Sequence, residues 1–257
     1  LAGIDAVLHE TPLQPVVGTS RYDAAHEEAV IYEMLSWRPS GLIVAGLEHT
    51  EASRAMMRAA GIPIVEMMDI DGPAVAAAVG ISHEEAGRQM AREVVARGYR
   101  RIAYLGAGSP GDHRARKRLA GFEEVLGQAG ISLIDRMFYE GNSGFGTGRE
   151  MTKNLLSQNS EVDFLYYNSD LNAAGGLLYC LEKGVDVPGT IGLAGFNAFE
   201  MLMGLPMRLA TTDSRRNAIG RAAAEVIASG ELSETLTVLE PVFDAGETVR
   251  PRPNDPR

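Results

Sequence analysis

Helical and short apolar extended patterns alternate along this chain from end to end, which restricts it to folds built on parallel sheets flanked by helices. Asp23 to Trp37 reads as a helix, with Asp23 as N-cap and Ala29, Ile31, Tyr32 and Leu35 as its candidate buried stripe. Pro39-Ser40-Gly41 ends it. Leu42-Ile43-Val44-Ala45 is then wholly apolar, as strands covered on both faces are. Glu51 to Ala60 is the next helix, with Gly61 at a left-handed C-terminus, and Ile62 to Val65 is a strand with Pro63 at its start. Ser82-His83-Glu84-Glu85 is a capping box that opens a helix with Ala86, Met90 and Val94 on its apolar stripe and Gly87 and Ala91 beside it. Beyond Gly98 the spacing predicts strands at Ile102–Leu105, Phe164–Tyr167 and Ile191–Phe196. Helices are predicted at Leu119–Ala129, Thr147–Ser157, Leu171–Lys183 and Arg216–Ser229, and Val238–Phe243 is the last extended segment. Ala59-Ala60-Gly61-Ile62 and Gln128-Ala129-Gly130-Ile131 repeat one order of helix end, glycine and strand. Two similar lobes would give that echo, and so would any repeated βα unit.

Composition removes several function classes. With 257 residues, 45% hydrophobic and 23% charged, the chain is globular, and its length suits one large domain or two smaller ones. A net charge of −10 argues against a polybasic nucleic-acid surface. The single cysteine, Cys180, forms no internal disulfide and fits a reducing compartment. No apolar run approaches the length of a membrane span, and no signal-peptide pattern stands at Leu1-Ala2-Gly3.

In open parallel sheets, ligands collect beyond the carboxyl ends of the strands. That rule selects Asp69, the Gly106–Gly111 loop with Arg114, Arg116, Lys117 and Arg118 after it, Asn168, Ser169 and Asp170, and Asn197. The glycine-rich loop matches neither the P-loop nor the dinucleotide fingerprint. Asp170 suits an N-cap as well as a ligand contact, Asn168 suits a turn, and the basic cluster suits a solvated face. Arg118 precedes the helix predicted from Leu119, where the macrodipole opposes a cation, so a ligand anion or a carboxylate partner is expected. Ser109 does not sit in a nucleophile elbow, and the five histidines lack metal-ligand spacing. Glu48 and His49 follow a strand and could line a pocket, with an exposed loop pair the favoured reading, and Met56-Met57 and Met67-Met68 read as core filler. No catalytic residue, metal or cofactor is expected.

Several motifs resemble those of LacI/GalR-type transcriptional repressors, in family order and over nearly the whole chain. They are Ala96 to Gly106, Arg118-Leu119-Ala120-Gly121-Phe122, Asn168-Ser169-Asp170-Leu171 with Ala174 and Gly175, Val187-Pro188 with Ile191 to Phe196, and Arg208 to Thr212. The stretch from Ala60 to Asp69, with His49-Thr50 before it, is similar to the gluconate-operon repressor branch. The resemblance implies an α/β fold of two similar lobes with parallel sheets flanked by helices, like a type I periplasmic binding protein. One lobe would hold residues 1–81 and 213–235, the other 82–212 and 236–250, with 251–257 as a tail and an effector cleft between the lobes. It implies effector contacts from Asp69, Arg118, Asn168, Ser169, Asp170 and Asn197, where Asn197 replaces the usual aspartate. Losing that negative charge favours an acidic effector. Ser143 stands where many relatives stack an aromatic on the ligand. The implied partners are a small sugar or sugar acid, a second copy of the chain and, through a helix-turn-helix domain not legible here, operator DNA, with no membrane. The implied role is allosteric repression in the cytoplasm, and the Arg216–Ser229 helix is a candidate dimer surface. A periplasmic sugar-binding protein is the alternative with the same fold.

Overall fold

The computed structural model describes residues 1–108 and 111–252. The chain divides into two compact units, residues 1–83 with 215–240 and residues 84–214 with 241–257. The first unit opens with α1 (Ala2–Leu8) and α2 (Ala24–Ser36), then β1 (Leu42–Ala45), α3 (Glu51–Ala59), β2 (Ile64–Asp69) and β3 (Ala77–Ile81). The second unit takes α4 (His83–Ala96, whose first residue belongs to the first unit), β4 (Ile102–Ala107), α5 (His113–Gln128), β5 (Asp135–Tyr139) and α6 (Phe145–Gln158). It continues through β6 (Phe164–Tyr167), α7 (Asp170–Glu182), β7 (Gly192–Ala194) and β8 (Thr211–Asp213). The chain returns to the first unit for α8 (Arg216–Ser229) and β9 (Leu236–Val238), and ends in the second with β10 (Val242–Asp244).

Among the described residues the first unit's sheet runs β1-β2-β3-β9 and the second's β5-β4-β6-β7, all pairs parallel, while β8 and β10 pair antiparallel. Both central sheets are covered on two faces. In the first unit Ile31, Leu42, Val44, Met57 and Ile64 pack under α2 and α3, while Ile4, Leu8 and Ala224 pack under α1 and α8. In the second, Met90, Val94, Phe122 and Leu126 bury Tyr104, Phe164 and Tyr166 on one face. Met151, Leu155 and Leu177 bury Leu165 and Tyr167 on the other. Burial on both faces is why these strands read as unbroken apolar runs.

The structure corrects several boundaries. The second strand starts at Ile64, after Pro63, whose carbonyl accepts from Leu42 N–H, and it runs on to Asp69. β3 is missing from the sequence reading because Ala77-Ala78-Val79-Gly80-Ile81 is built of small residues; a Cβ on Gly80 would stand 2.6 Å from the Asp69 nitrogen. β5 is missing because Asp135 and Arg136 open it and none of its residues is buried, as on an edge. Leu119 is not a helix start: α5 begins at His113, where the Asp112 carboxylate caps Ala115 N–H. The extended segment 238–243 is two strands, β9 and β10, in different units. Hence the return to the second unit comes after Glu240 and not after residue 235. On α2 only Ile31 is buried, and Ala29 and Tyr32 face solvent. α8 buries Ile219, Gly220, Ala223, Ala224 and Ile227, and exposes Asn217, Arg221 and Glu225. Among the described residues no helix is long and apolar enough to cross a membrane.

Candidate functional site

In the second unit the carboxyl ends of β6 and β7 and the second turn of α5 bring together most of the candidate residues. Arg118 lies inside α5, not at its head, so the macrodipole argument does not apply to it. The helix turns its side chain inward, where it is buried with its guanidinium carbon 3.9 Å from the centroid of the Phe196 ring. Its Nη2 donates to the Asn168 carbonyl at 3.2 Å. A cation over a desolvated aromatic face is held electrostatically by the ring quadrupole. The Tyr104 and Tyr166 phenols feel its charge, yet burial pushes both above the usual tyrosine range against the pull of Arg118. Both phenols are therefore neutral neighbours of the guanidinium.

Asn168 is the hub of an amide chain. Its Nδ2 donates to the Tyr139 hydroxyl at 3.3 Å and its Oδ1 accepts from Asn172 Nδ2 at 3.1 Å, while Asn172 Oδ1 accepts from Gly144 N–H at 2.9 Å. Ser169, not Asp170, is the N-cap of α7, its Oγ accepting from Asn172 N–H at 3.4 Å. Asp170 is fully buried. Its Oδ1 accepts from the Thr211 hydroxyl at 2.6 Å and its Oδ2 from Phe199 N–H at 2.9 Å, which ties β8 and the 196–199 loop to α7. Asn197 follows β7 in a backbone with φ of +116°, and Ala198 has φ of +51°. Such angles cost non-glycine residues energy and fix where a side chain points. The Asn197 Oδ1 accepts from Ser214 Oγ at 3.1 Å, and its Nδ2 has no partner among the described residues.

The first unit carries Asp69, at the carboxyl end of β2 and buried. Met68 precedes it with φ of +84°, its carbonyl 3.0 Å from His83 Nε2, and the Asp69 Oδ1 accepts from Asp71 N–H at 2.9 Å. The same strand carries Glu66, the centre of a cluster that sequence reasoning misplaced. His49 is no exposed loop residue: its side chain is 1% exposed, with Nδ1 2.7 Å from the Glu27 carboxylate and Nε2 3.3 Å from the fully buried Glu66 carboxylate. Burial alone would lower its pKa, but the bond to Glu27 and the charges of both carboxylates raise it to about 9. The available signal was Glu66 itself, a carboxylate inside an apolar strand, which needs a cationic or hydrogen-bonding partner.

Ser109 and Pro110, at the centre of the glycine-rich loop, and the tail from Pro253 lie outside the described residues. Ser143 is half-buried ahead of α6, and Met57 is core. Among the described residues no group of His, Cys, Asp and Glu could hold a metal ion. An open cavity of about 390 Å³, lined by Met57, Arg58, Ile62, Val75 and Leu232, lies at the amino ends of β2 and β3, the opposite ends from Asp69.

The sequence profile described as "Periplasmic binding proteins and sugar binding domain of LacI family" matches residues 15–238. The HTH-type transcriptional regulator GntR of Pseudomonas aeruginosa is 37% identical over 226 residues, covering 88% of this chain and 65% of that protein. The protein of the same name from Escherichia coli K12 is 32% identical, covering 98% of this chain and 74% of that one. This chain thus spans about two thirds to three quarters of their lengths. Among solved structures, a LacI-family transcriptional regulator from Silicibacter pomeroyi superposes with a TM-score of 0.93 at 57% identity, covering 96% of this chain and 76% of that one. The transcription regulator GntR from Chromobacterium violaceum gives 0.87 at 29%, covering 96% and 92%.

Proposed function

Because the chain belongs to the family of periplasmic binding proteins and LacI-family sugar-binding domains, we propose that it is the effector-binding core of a transcriptional regulator that responds to a sugar acid. The observation that carries this reading is Arg118, a buried guanidinium seated on Phe196 with neutral phenols as neighbours, and the uncharged Asn197 after the next strand. A planar guanidinium recognises a carboxylate bidentately, and an aspartate in place of Asn197 would repel the same anion. Asn197 Nδ2 and the Ser169 hydroxyl proton have no partners among the described residues and suit donation to an acid or hydroxyl oxygen. Asp69 is the proposed acceptor for sugar hydroxyls. Asn168 and Asp170 act from behind, one holding the Arg118 guanidinium through its carbonyl, the other fixing the 196–199 loop.

The proposed output is allosteric, from a homodimer. A ligand shifts the balance of two states only by its difference in affinity for them. The coupling to operator binding, carried by a helix-turn-helix domain, is on the order of 1–3 kcal/mol and acts equally in both directions. No turnover of the effector is part of this reading, and the names of the relatives support a cytoplasmic regulator over a periplasmic carrier.

A thermal-shift screen of aldonic acids, sugar phosphates and neutral sugars, followed by calorimetry, tests the reading. D-gluconate or a related aldonate is expected to raise the melting temperature. A shift by neutral pentoses with none from aldonates would refute the acidic effector, and no shift by any saccharide would refute the function.

A further inference from the structure

Two loops of the first unit meet at the His49 cluster. Residues 46–50 follow β1 at its carboxyl end, where parallel sheets bind ligands, and residues 70–76 run from the carboxyl end of β2, beside Asp69, back to the amino end of β3. Glu66 Oε2 accepts from the backbone N–H groups of Val75 and Ala76, so its carboxylate closes the second loop from inside, while Asp69 opens it through Asp71. The opposite oxygen of Glu66 faces His49, which passes the contact on to Glu27 of α2. The other charged groups around the ring have different partners: Glu28 of α2 accepts from the Thr50 hydroxyl, and Glu48 from Leu47 N–H. Arg54 of α3 donates to the carbonyls of Leu47 and Pro73, bracing both loops without neutralising either carboxylate.

We propose that His49 and Glu66 are positioning residues for effector binding: the buried carboxylate–imidazolium–carboxylate chain they form with Glu27 holds both loops in the arrangement that presents Asp69. This rests on the effector reading above. Charged, the ring carries protons on both nitrogens: Nδ1 donates to Glu27, and Nε2 stands 3.3 Å from the Glu66 carboxylate as an ion pair without hydrogen-bond geometry. Neutral, it keeps one donor, so one carboxylate faces a lone pair in a site without water. A buried carboxylate left so is costly enough to move the backbone it holds.

The experiment is calorimetric titration of D-gluconate into the wild type and His49→Gln between pH 6.5 and 10, with the Val75 and Ala76 amide resonances of the ligand-free wild type followed over the same range. Gluconate affinity of the wild type is expected to hold to about pH 8 and to fall about tenfold by pH 10, within the usual span of allosteric couplings. Both amides should move with an inflection near 9, where the ring titrates. His49→Gln should bind weakly, with no slope. If that variant does not fold, the wild-type profile and the amides still decide. A flat wild-type affinity, unmoved amides, or an unchanged profile in His49→Gln overturns the inference and leaves the effector reading standing. No binding of gluconate or of any other aldonate at any pH overturns the sugar-acid reading, and this inference falls with it.

Discussion

Arg118 and Asp170 lie at the same carboxyl edge and are both buried, yet they should fail differently when removed. Arg118→Met keeps the apolar stem against Phe196 and deletes the guanidinium. Gluconate affinity should drop at least tenfold by calorimetry, while the melting temperature moves by only a few degrees, about 1 kcal/mol or less. Retained affinity would remove Arg118 from the site. Asp170→Ala should instead destabilise the fold by about 2–4 kcal/mol in urea unfolding, because Phe199 N–H and the Thr211 hydroxyl lose a buried charged acceptor. Stability within 1 kcal/mol of wild type would show that the carboxylate is not the tie it looks to be. At this scale the polar identities were legible from the rule of strand ends, whereas the division of labour was not. Asp170 suited an N-cap or a ligand contact and Asn168 a turn or a ligand contact, and the sequence did not show that their oxygens also have partners within the protein. His49 read as exposed because its partners lie 22 and 17 positions away in sequence.

The helices of the second unit meet through glycines. A Cβ on Gly87 of α4 would stand 2.0 Å from the Arg118 carbonyl oxygen of α5, and one on Gly148 of α6 1.9 Å from the Asn172 carbonyl oxygen of α7. Backbone against backbone leaves nothing flexible to give way. Gly148→Ala should cost about 1–3 kcal/mol by urea unfolding, in the range of overpacked cores. Gly127, in the last turn of α5, has open space where a Cβ would go, so Gly127→Ala should stabilise by about 0.5–1 kcal/mol. Equal effects of the two substitutions would refute the packing argument. Helices with strong local signals were legible: α4 buries the expected Ala86, Met90 and Val94, and α8 spans the residues its pattern marks. Elements whose signal is tertiary were not. β3 is small-residued because Gly80 lies against Asp69, and the start of α5 depends on one capping aspartate amid arginines that hid it.

For the molecule as a whole, the titrating groups give two windows of alkaline instability. His49 is raised from 6.5 to about 9 in the folded state, so its contribution is fully present below about 6.5 and is lost as pH climbs through about 9. Tyr104, Tyr166 and Tyr167 are raised above 10 by burial, so theirs is intact below 10 and lost only beyond it. Melting temperature should therefore decline from pH 7 to 9.5 in the wild type and stay level over that interval in His49→Gln, with both falling above pH 10. A level wild-type profile to pH 9.5 would show that the imidazolium adds nothing to stability. The sequence by itself determined the α/β class, the order of most helices and strands, and the family, because periodicity, caps and contiguous motifs are local and survive without a third dimension. Only the tertiary structure decided which unit claims β9 and β10, that Arg118 rests on Phe196, and that Glu27, His49 and Glu66 share one buried charge. Those facts depend on segments far apart in the chain being brought within a few ångströms, and no local pattern records that distance.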